Sequence, residues 1–269
     1  MRKVYGLDSD FIINGDKSLE TVKLWASGLF DSERVKEYKF SSEALKWFLE
    51  VAFGAFKKTD TDKKRQMILA KIIHTREVVR AGFDIASVEK TNKWNEYQVG
   101  TVCLLHDVAR FDQALLGDYL DSRNSFDHGD IGAEMVENSN FADFLSLGID
   151  KKSLVESVRY HNKYEYVGDD KYAKMVRDAD KLANLRVTPE RFEDKIFGLA
   201  DGRVSIGPIE SYLNKKMVSV DEVKTRADFL LMILSWEFDF NFSETNKLFV
   251  DEGIRDWLVK ELNSLGVEI

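Results

Sequence analysis

The sequence predicts an all-α fold. Apolar residues recur at spacings of three and four along most of the 269 residues, which is the period of a helix with one buried face. The chain contains only two prolines, Pro189 and Pro208, so little in the sequence interrupts long helices. No segment alternates polar and apolar residues as a half-buried strand would, and no repeat of fixed period is present. These observations favour a bundle of helices.

The first part of the chain, residues 1–60, is expected to be an N-terminal helical extension. Residues 1–40 are mixed in composition and predict short helices or an extended arm. A clear helix begins near Ser42, the predicted N-cap, because apolar residues then repeat at helical spacing. The polar run at residues 59–62 ends this helix and can cap the next one.

Residues 61–190 are predicted to form the core domain. Its first helix extends to about Phe83, and a polar, acidic loop is expected over Gly117–Asp127. The remaining helices of this part are predicted over Glu96–Leu116, from His128 through Val136, over Leu154–His161 and over Tyr172–Leu185.

Residues 191–269 are predicted to be a C-terminal helical layer that packs on the same domain. Pro189 and several glycines are expected to loosen the start of this part. Helices are predicted over Val223–Phe240 and Asn246–Leu265, and no Pro/Ser-rich linker separates them from the core.

Charge and composition exclude several classes of protein. The 39 basic and 47 acidic residues give a net charge of −8, whereas a protein that binds duplex nucleic acid usually carries a basic stripe. No apolar run approaches the roughly 20 residues of a membrane span, and the N-terminus lacks the apolar region of a signal peptide. A single cysteine rules out an intrachain disulfide framework. We therefore expect a cytoplasmic protein without a membrane or duplex nucleic-acid partner.

The dipeptide His106-Asp107 stands in an otherwise apolar run, residues 101–110. Burying a carboxylate costs several kcal/mol unless a cation or strong hydrogen-bond donors compensate its charge. A bound metal ion is the simplest compensation. Adjacent helical residues point about 100° apart, so both side chains can flank one ion.

The remaining histidines and one aspartate supply further candidate ligands. The chain has four histidines, and imidazole together with carboxylate oxygen suits zinc, iron, manganese or nickel better than calcium. A site for magnesium alone would be expected to use oxygen ligands. The candidate metal ligands, in chain order, are His74, His106, Asp107, His128, His161 and Asp180.

This order resembles the HD-domain superfamily of metal-dependent phosphohydrolases, whose signature is a His, then a His-Asp pair, then a distant Asp. The matching residues are His74, His106-Asp107 and Asp180, within about residues 70–190. Residues 179–182 are similar to the family's Ala-Asp-basic-Leu motif, and this likeness selects Asp180 over Asp178, which is interpreted as a helix-surface carboxylate. The resemblance implies an HD-domain helical bundle, here with additional N- and C-terminal helices.

Two further segments resemble HD proteins that bind two metals. His128 begins a His-x-x-Ile-Gly-Ala sequence, and His161 lies where such proteins often carry two successive histidines, although Asn162 replaces the second. The resemblance implies a first ion on His74, His106, Asp107 and Asp180, and a second ion on His128 and His161 with Asp107 as the bridge. One or two divalent ions are therefore expected, with manganese, iron, nickel, zinc and magnesium left open.

A phosphate substrate would also need cationic partners. Arg110 lies one helical turn after Asp107 and occupies the basic position of the family's His-Asp-Ile-Gly-Lys/Arg motif, so Asp107 and Arg110 are the predicted catalytic residues. Further candidates for phosphate binding are Arg76, Arg159, Lys163 and Lys181. No general acid is identified; a pocket histidine, a metal-bound water, Asp112 and Asp178 are the candidates.

The resemblance leaves three functions open. The first is a phosphohydrolase, a phosphomonoesterase or phosphodiesterase, acting on a nucleotide or another small phosphate ester. A trailing Gly-Tyr-Pro signature after His161 and a Glu-Asp pair after Asp107 are both absent, which disfavours cyclic-dinucleotide phosphodiesterases and guanosine tetraphosphate hydrolases. The second is an HD-type di-iron oxygenase similar to myo-inositol oxygenase. The third is a non-catalytic regulator that binds metal or nucleotide. A homo-oligomer is left open in each case.

Overall fold

The computed structural model describes residues 18–31, 38–117, 126–193, 199–200, 202–267 and 269. These residues are predominantly helical and contain no named strand, which confirms the all-α prediction; an isolated bridge joins Ala200 and Thr225. The helices are α1 (Leu19–Asp31), α2 (Ser42–Lys58), α3 (Asp62–Val88), α4 (Glu96–Leu105), α5 (Arg110–Leu116), α6 (His128–Glu137), α7 (Asp143–Leu147), α8 (Lys151–Tyr160), α9 (Lys171–Glu193), α10 (Ile206–Leu213), α11 (Arg226–Ser235), α12 (Ser243–Asp251) and α13 (Ile254–Ser264).

The chain divides into two compact units, Met1–Asp180 and Lys181–Ile269. In the first unit α3 lies against α2, α4 and α5, and α8 lies against α4 and α6. The approach of α3 to α4 depends on Gly82, because a Cβ atom there would lie 2.6 Å from the Cys103 sulfur. This close packing brings α3, which carries His74, against α4, which His106 directly follows.

Polar N-caps begin several helices of the first unit, including α2, α3 and α6. The side chain of Thr61 accepts a hydrogen bond from the Lys64 amide at the start of α3, as the polar break in the sequence predicts. The predicted cap of α2 was wrong by one residue. Ser41, rather than Ser42, has the extended backbone of an N-cap and accepts from the Ala44 amide. Asp127 caps α6 in the same way through the amides of Gly129 and Asp130.

The single helix predicted over Glu96–Leu116 is interrupted. The chain leaves α4 after Leu105 and re-enters a helix at Arg110. Between them, tight three-residue hydrogen bonds replace the four-residue pattern, from the Val108 amide to the Leu105 carbonyl and from the Arg110 amide to the Asp107 carbonyl. Gly117, with φ of 74°, then ends α5 at the start of the predicted loop, of which residues 118–125 lie outside the described part.

The second unit departs from the sequence predictions in three places. The helix predicted over Tyr172–Leu185 continues to Glu193 and contains Pro189. The helix predicted over Val223–Phe240 begins at Arg226, because Thr225 caps it, and ends at Ser235 before a short 3₁₀ helix. The helix predicted over Asn246–Leu265 is two helices, since Gly253 adopts a left-handed conformation with φ of 73°.

Within the second unit, α11 lies against α10 and α13, and α12 lies against α13. α11 is the most buried of these helices, with Leu230, Leu231 and Leu234 fully inaccessible. Among the helices described in the whole chain, none is both long and apolar enough to cross a lipid bilayer.

Candidate metal centre

Five segments of the first unit converge on one buried cluster of imidazoles and carboxylates. α3 contributes one histidine, the turn after α4 contributes a His-Asp pair, α6 begins with a histidine, another directly follows α8, and α9 contributes an aspartate. The six predicted ligands fall into three overlapping groups whose donor atoms lie within 4.8 Å of one another: His74, His106 and Asp107; His106, His161 and Asp180; and Asp107, His128 and His161.

One carboxylate oxygen of Asp107 faces side chains of α3 and of the turn after α4. Its Oδ2 lies 3.5 Å from His106 Nε2 and 3.7 Å from His74 Nε2. Lys71 donates a hydrogen bond to the same oxygen from 2.9 Å. This half of the cluster also contains Asp180, whose Oδ1 is 2.9 Å from His74 Nε2 and 4.0 Å from His106 Nε2.

The other oxygen of Asp107 faces α6 and the end of α8. Its Oδ1 lies 3.2 Å from His128 Nε2 and 3.4 Å from His161 Nε2. Arg110 Nε is 3.5 Å from it. Asp107 therefore stands between two separate sets of imidazoles, with one oxygen directed to each set.

Two of the histidines are oriented by the backbone of the helices that they follow. His106 and His161 each stand directly after the last residue of a helix, and each ring uses Nδ1 to hydrogen-bond the carbonyl three residues earlier, at 2.8 Å for Cys103 and 2.7 Å for Val158. A carbonyl only accepts, so Nδ1 carries the hydrogen and the Nε2 lone pair is directed into the cluster.

Burial favours the neutral forms of His74 and His161, while Asp107 and Asp180 stay charged. Burial is the largest influence on the pKa of His74 and of His161 and lowers both to about 4. Burial alone would raise the pKa of Asp107, but Lys71 and the neighbouring histidines hold it well below its usual value. The pKa of Asp180 is also lowered, because His74 outweighs the effect of its burial. Neutral imidazoles beside ionised carboxylates are the protonation states that a cation requires.

The residues fit a divalent ion. The Nε2 atom of His106 is buried and has no hydrogen-bond partner among the described residues, although a buried polar atom normally has one. It faces Asp107 and Asp180, two ionised carboxylates, and the donor set of nitrogen and oxygen suits borderline metals such as zinc, iron, manganese and nickel. Whether each of the six side chains binds an ion stays a prediction.

Asp178 lies in the interior of the protein and not on the helix surface. The sequence interpretation as a surface carboxylate was wrong, because Asp178 is completely buried. It lies two residues before Asp180 on α9, about 200° away around the helix axis, so the two aspartates point to different sides. Asp180 is the one whose carboxylate lies beside His74.

Two cationic side chains, Lys71 and Arg110, lie beside Asp107, whereas the other four candidates for phosphate binding contact carboxylates elsewhere. Arg110 lies at the cluster, and its Nη1 also donates to Gln113 Oε1 at 2.7 Å. Lys71 was missed by the sequence analysis, although its position three residues before His74 on α3 places both on one helix face. The other candidates for phosphate binding each contact carboxylates, and their role stays a prediction: Arg76 with Glu77, Arg159 with Asp130 and Glu137, Lys163 with Asp127 and Asp130, and Lys181 with Asp239.

The fold and the cluster define the class of protein as a helical domain with a buried His/Asp centre suited to divalent metal. A family model, the HD domain, matches residues 72–185, which include all six candidate ligands. This match over residues 72–185 confirms the resemblance to HD domains found in the sequence. The HD-domain superfamily includes metal-dependent phosphohydrolases. No curated protein and no solved structure matches this chain.

Proposed function

We propose that this protein is a metal-dependent phosphohydrolase that acts on a nucleotide or another small phosphate ester. The observation that carries the proposal is the position of Asp107, whose two carboxylate oxygens face two different sets of histidines. A carboxylate in this position can bridge two cations, as in sites that activate water between metals about 3.5–4 Å apart. The cytoplasm is the proposed location, and a small phosphorylated molecule is the proposed partner.

The proposed ligands of the first ion are His74, His106, Asp107 and Asp180. The proposed ligands of the second are His128 and His161, with Asp107 shared between the two. When bound, divalent ions lower the pKa of water and neutralise charge on phosphate oxygens. Manganese, iron, nickel, zinc and magnesium all stay open.

The side chains around the cluster would orient the phosphate. Arg110 is proposed to donate to a phosphate oxygen, because its guanidinium lies beside Asp107 Oδ1 and is held by Gln113. Gln113 is in turn fixed by the hydrogen bond from its Nε2 to the Phe126 carbonyl, at 2.7 Å. Lys71, with only 18% of its side chain exposed, would bring a second positive charge to the opposite side of Asp107. Both cations are thus positioned by the fold before a substrate arrives.

The test combines metal analysis with a substrate panel. Protein purified without chelator should contain divalent ions and should release phosphate from at least one phosphomonoester or phosphodiester. The variant Asp107→Asn should lose both properties. Two irons per chain, oxygen consumption and no phosphate release would instead identify a di-iron oxygenase. Bound metal or nucleotide without turnover in the whole panel would identify a regulator.

A further inference from the structure

Asn162 directly follows His161, and its side-chain amide reaches across to His128 on α6. We propose that Asn162 is a positioning residue that makes the two halves of the metal centre unequal. It holds His128 in the tautomer that carries hydrogen on Nε2, so that the position beside Asp107 Oδ1 binds an ion more weakly than the position beside Oδ2. This inference rests on the proposed function, since it concerns the ions that the hydrolase would use.

The first step is the orientation of the Asn162 amide. Its Nδ2 lies 3.0 Å from Asp127 Oδ1 and 3.3 Å from His128 Nδ1. Asp127 Oδ1 also accepts hydrogen bonds from the amides of Gly129 and Asp130. An amide turned the other way would place its oxygen against this carboxylate, so the nitrogen must face Asp127, and the same nitrogen therefore faces His128.

Space for this amide comes from Gly129, the second residue of α6. A Cβ atom at that position would lie 2.4 Å from Asn162 Oδ1. The close approach of the loop after α8 to the start of α6 therefore requires glycine here. Lys163 strengthens the same contact, because its Nζ lies 2.6 Å from Asp127 Oδ2.

The second step is the tautomer of His128. An amide nitrogen donates, so His128 Nδ1 must accept, and a neutral imidazole then carries its hydrogen on Nε2. A separate contact leads to the same assignment. His161 donates from Nδ1 to the Val158 carbonyl, so its Nε2 can only accept, and the 3.0 Å contact between the Nε2 atoms of His128 and His161 needs a hydrogen from His128.

The third step is the consequence for an ion. A metal ligand must direct a lone pair at the ion, which the Nε2 atoms of His106 and His161 do in this arrangement. His128 would first have to move its hydrogen to Nδ1, where it would meet the Asn162 amide hydrogens. The hydrogen bond from Asn162 to His128 would be lost, and two N–H groups would face each other. Together these costs weaken binding of the ion beside Asp107 Oδ1 by about 10- to 100-fold. Until then, His128 Nε2 is a hydrogen-bond donor directed at Asp107 and at any oxygen placed between them.

The experiment is a titration of the metal-free 269-residue protein with Mn²⁺, monitored by calorimetry and metal analysis. The wild type should bind one ion tightly and a second at least about 10-fold more weakly. Asn162→Ala should strengthen the second binding step about 10-fold and leave the first unchanged. Asn140→Ala, which changes an exposed asparagine, is the matched control and should behave as the wild type.

Two ions bound with equal affinity by the wild type would overturn the proposal. So would an Asn162→Ala variant whose second step is unchanged or weaker. If neither the wild type nor any variant binds an ion, the proposed function fails. The role assigned to Asn162 is tested separately, because the tautomer of His128 is measured without metal.

Nitrogen-15 NMR of the histidine side chains supplies that measurement on the metal-free wild type, independent of any variant. His128 should carry its hydrogen on Nε2, whereas His106 and His161 should carry theirs on Nδ1 and serve as internal references. In Asn162→Ala the His128 signal should move toward the Nδ1–H form. A wild-type His128 with hydrogen on Nδ1 would refute the role assigned to Asn162.

Discussion

Lys71 Nζ lies 2.9 Å from Asp107 Oδ2, the oxygen that also faces His74 and His106. α3 therefore supplies a histidine and a cation to the same edge of one carboxylate. Because both partners are largely buried, this ion pair is the main local compensation for the Asp107 charge in the metal-free protein. A divalent ion on that edge would take over the same role.

Replacing this lysine should make the protein more dependent on metal. Lys71→Met leaves the buried Asp107 Oδ2 without its hydrogen-bond donor, so the metal-free variant should lose about 1–3 kcal/mol of unfolding free energy. Mn²⁺ should stabilise the variant more than the wild type. In the variant the ion replaces the missing positive charge, and it is not repelled by the Lys71 ammonium group. Thermal unfolding with and without Mn²⁺ measures this difference.

The control for that experiment is Lys64→Met. Lys64 also lies on α3, but its partner Asp60 is mostly exposed, so this ion pair should contribute little. Equal stabilisation of Lys71→Met and Lys64→Met by Mn²⁺ would show that Lys71 does not compensate Asp107.

Asp107 should be the most sensitive residue of the centre. Asp107→Asn keeps the shape of the side chain and removes the charge that both halves of the cluster share, so Mn²⁺ affinity should fall by more than about 100-fold and phosphate release should cease. Calorimetry and the phosphatase assay measure the two effects. Asp169→Asn changes an exposed carboxylate outside the cluster and should have neither effect. A comparable loss in both variants would argue against a metal-bridging role.

Arg110 should act on substrate binding rather than on metal binding. Arg110→Met removes a charge-assisted donor beside Asp107 Oδ1, so KM should rise about 10- to 100-fold while the bound metal is retained. Arg159→Met should have a smaller effect, because Arg159 lies near the carboxylates of Asp130 and Glu137. Steady-state kinetics on the best substrate of the panel compare the two. A larger KM for Arg159→Met would reverse the assignment.

Asp228 in the second unit should give a pH-dependent contribution to stability. Its carboxylate accepts hydrogen bonds from the amides of Ser205, Lys224 and Thr225 and from the Ser205 hydroxyl. Burial alone would raise the pKa of Asp228, but these hydrogen bonds hold it below its usual value. A carboxyl with a lowered pKa in the folded state stabilises the fold above its unfolded-state pKa, and this contribution is lost as the pH falls through the folded-state pKa.

Asp228→Asn should therefore cost about 1–3 kcal/mol near pH 7 and progressively less below about pH 4. Urea unfolding of wild type and variant between pH 3 and 7 measures the difference. Asp221→Asn, at an exposed position of the same unit, should be nearly neutral throughout. If the stability cost of Asp228→Asn did not change with pH, the charge of Asp228 would not be the source of its contribution to stability.

Much of the candidate centre was predictable because its members are chemically unusual in their local context. A His-Asp pair in an apolar run marks buried polar groups, and helical periodicity identifies the segments that carry the other ligands. The helix boundaries were less predictable. The interruption after Leu105 and the left-handed turn at Gly253 lie within sequences of continuous helical period, so only the backbone hydrogen bonds reveal them.

The amino-acid sequence by itself determined the all-α class, the HD signature and the six candidate ligands, because period, residue type and order are local properties of the chain. Only the tertiary structure decided which oxygen of Asp107 faces which histidines, that Lys71 lies against it, that Asp178 is buried, and that Asn162 reaches His128. These relationships join residues up to dozens of positions apart. They depend on how α3, α4, α6, α8 and α9 approach one another, which spacing along a single chain does not specify.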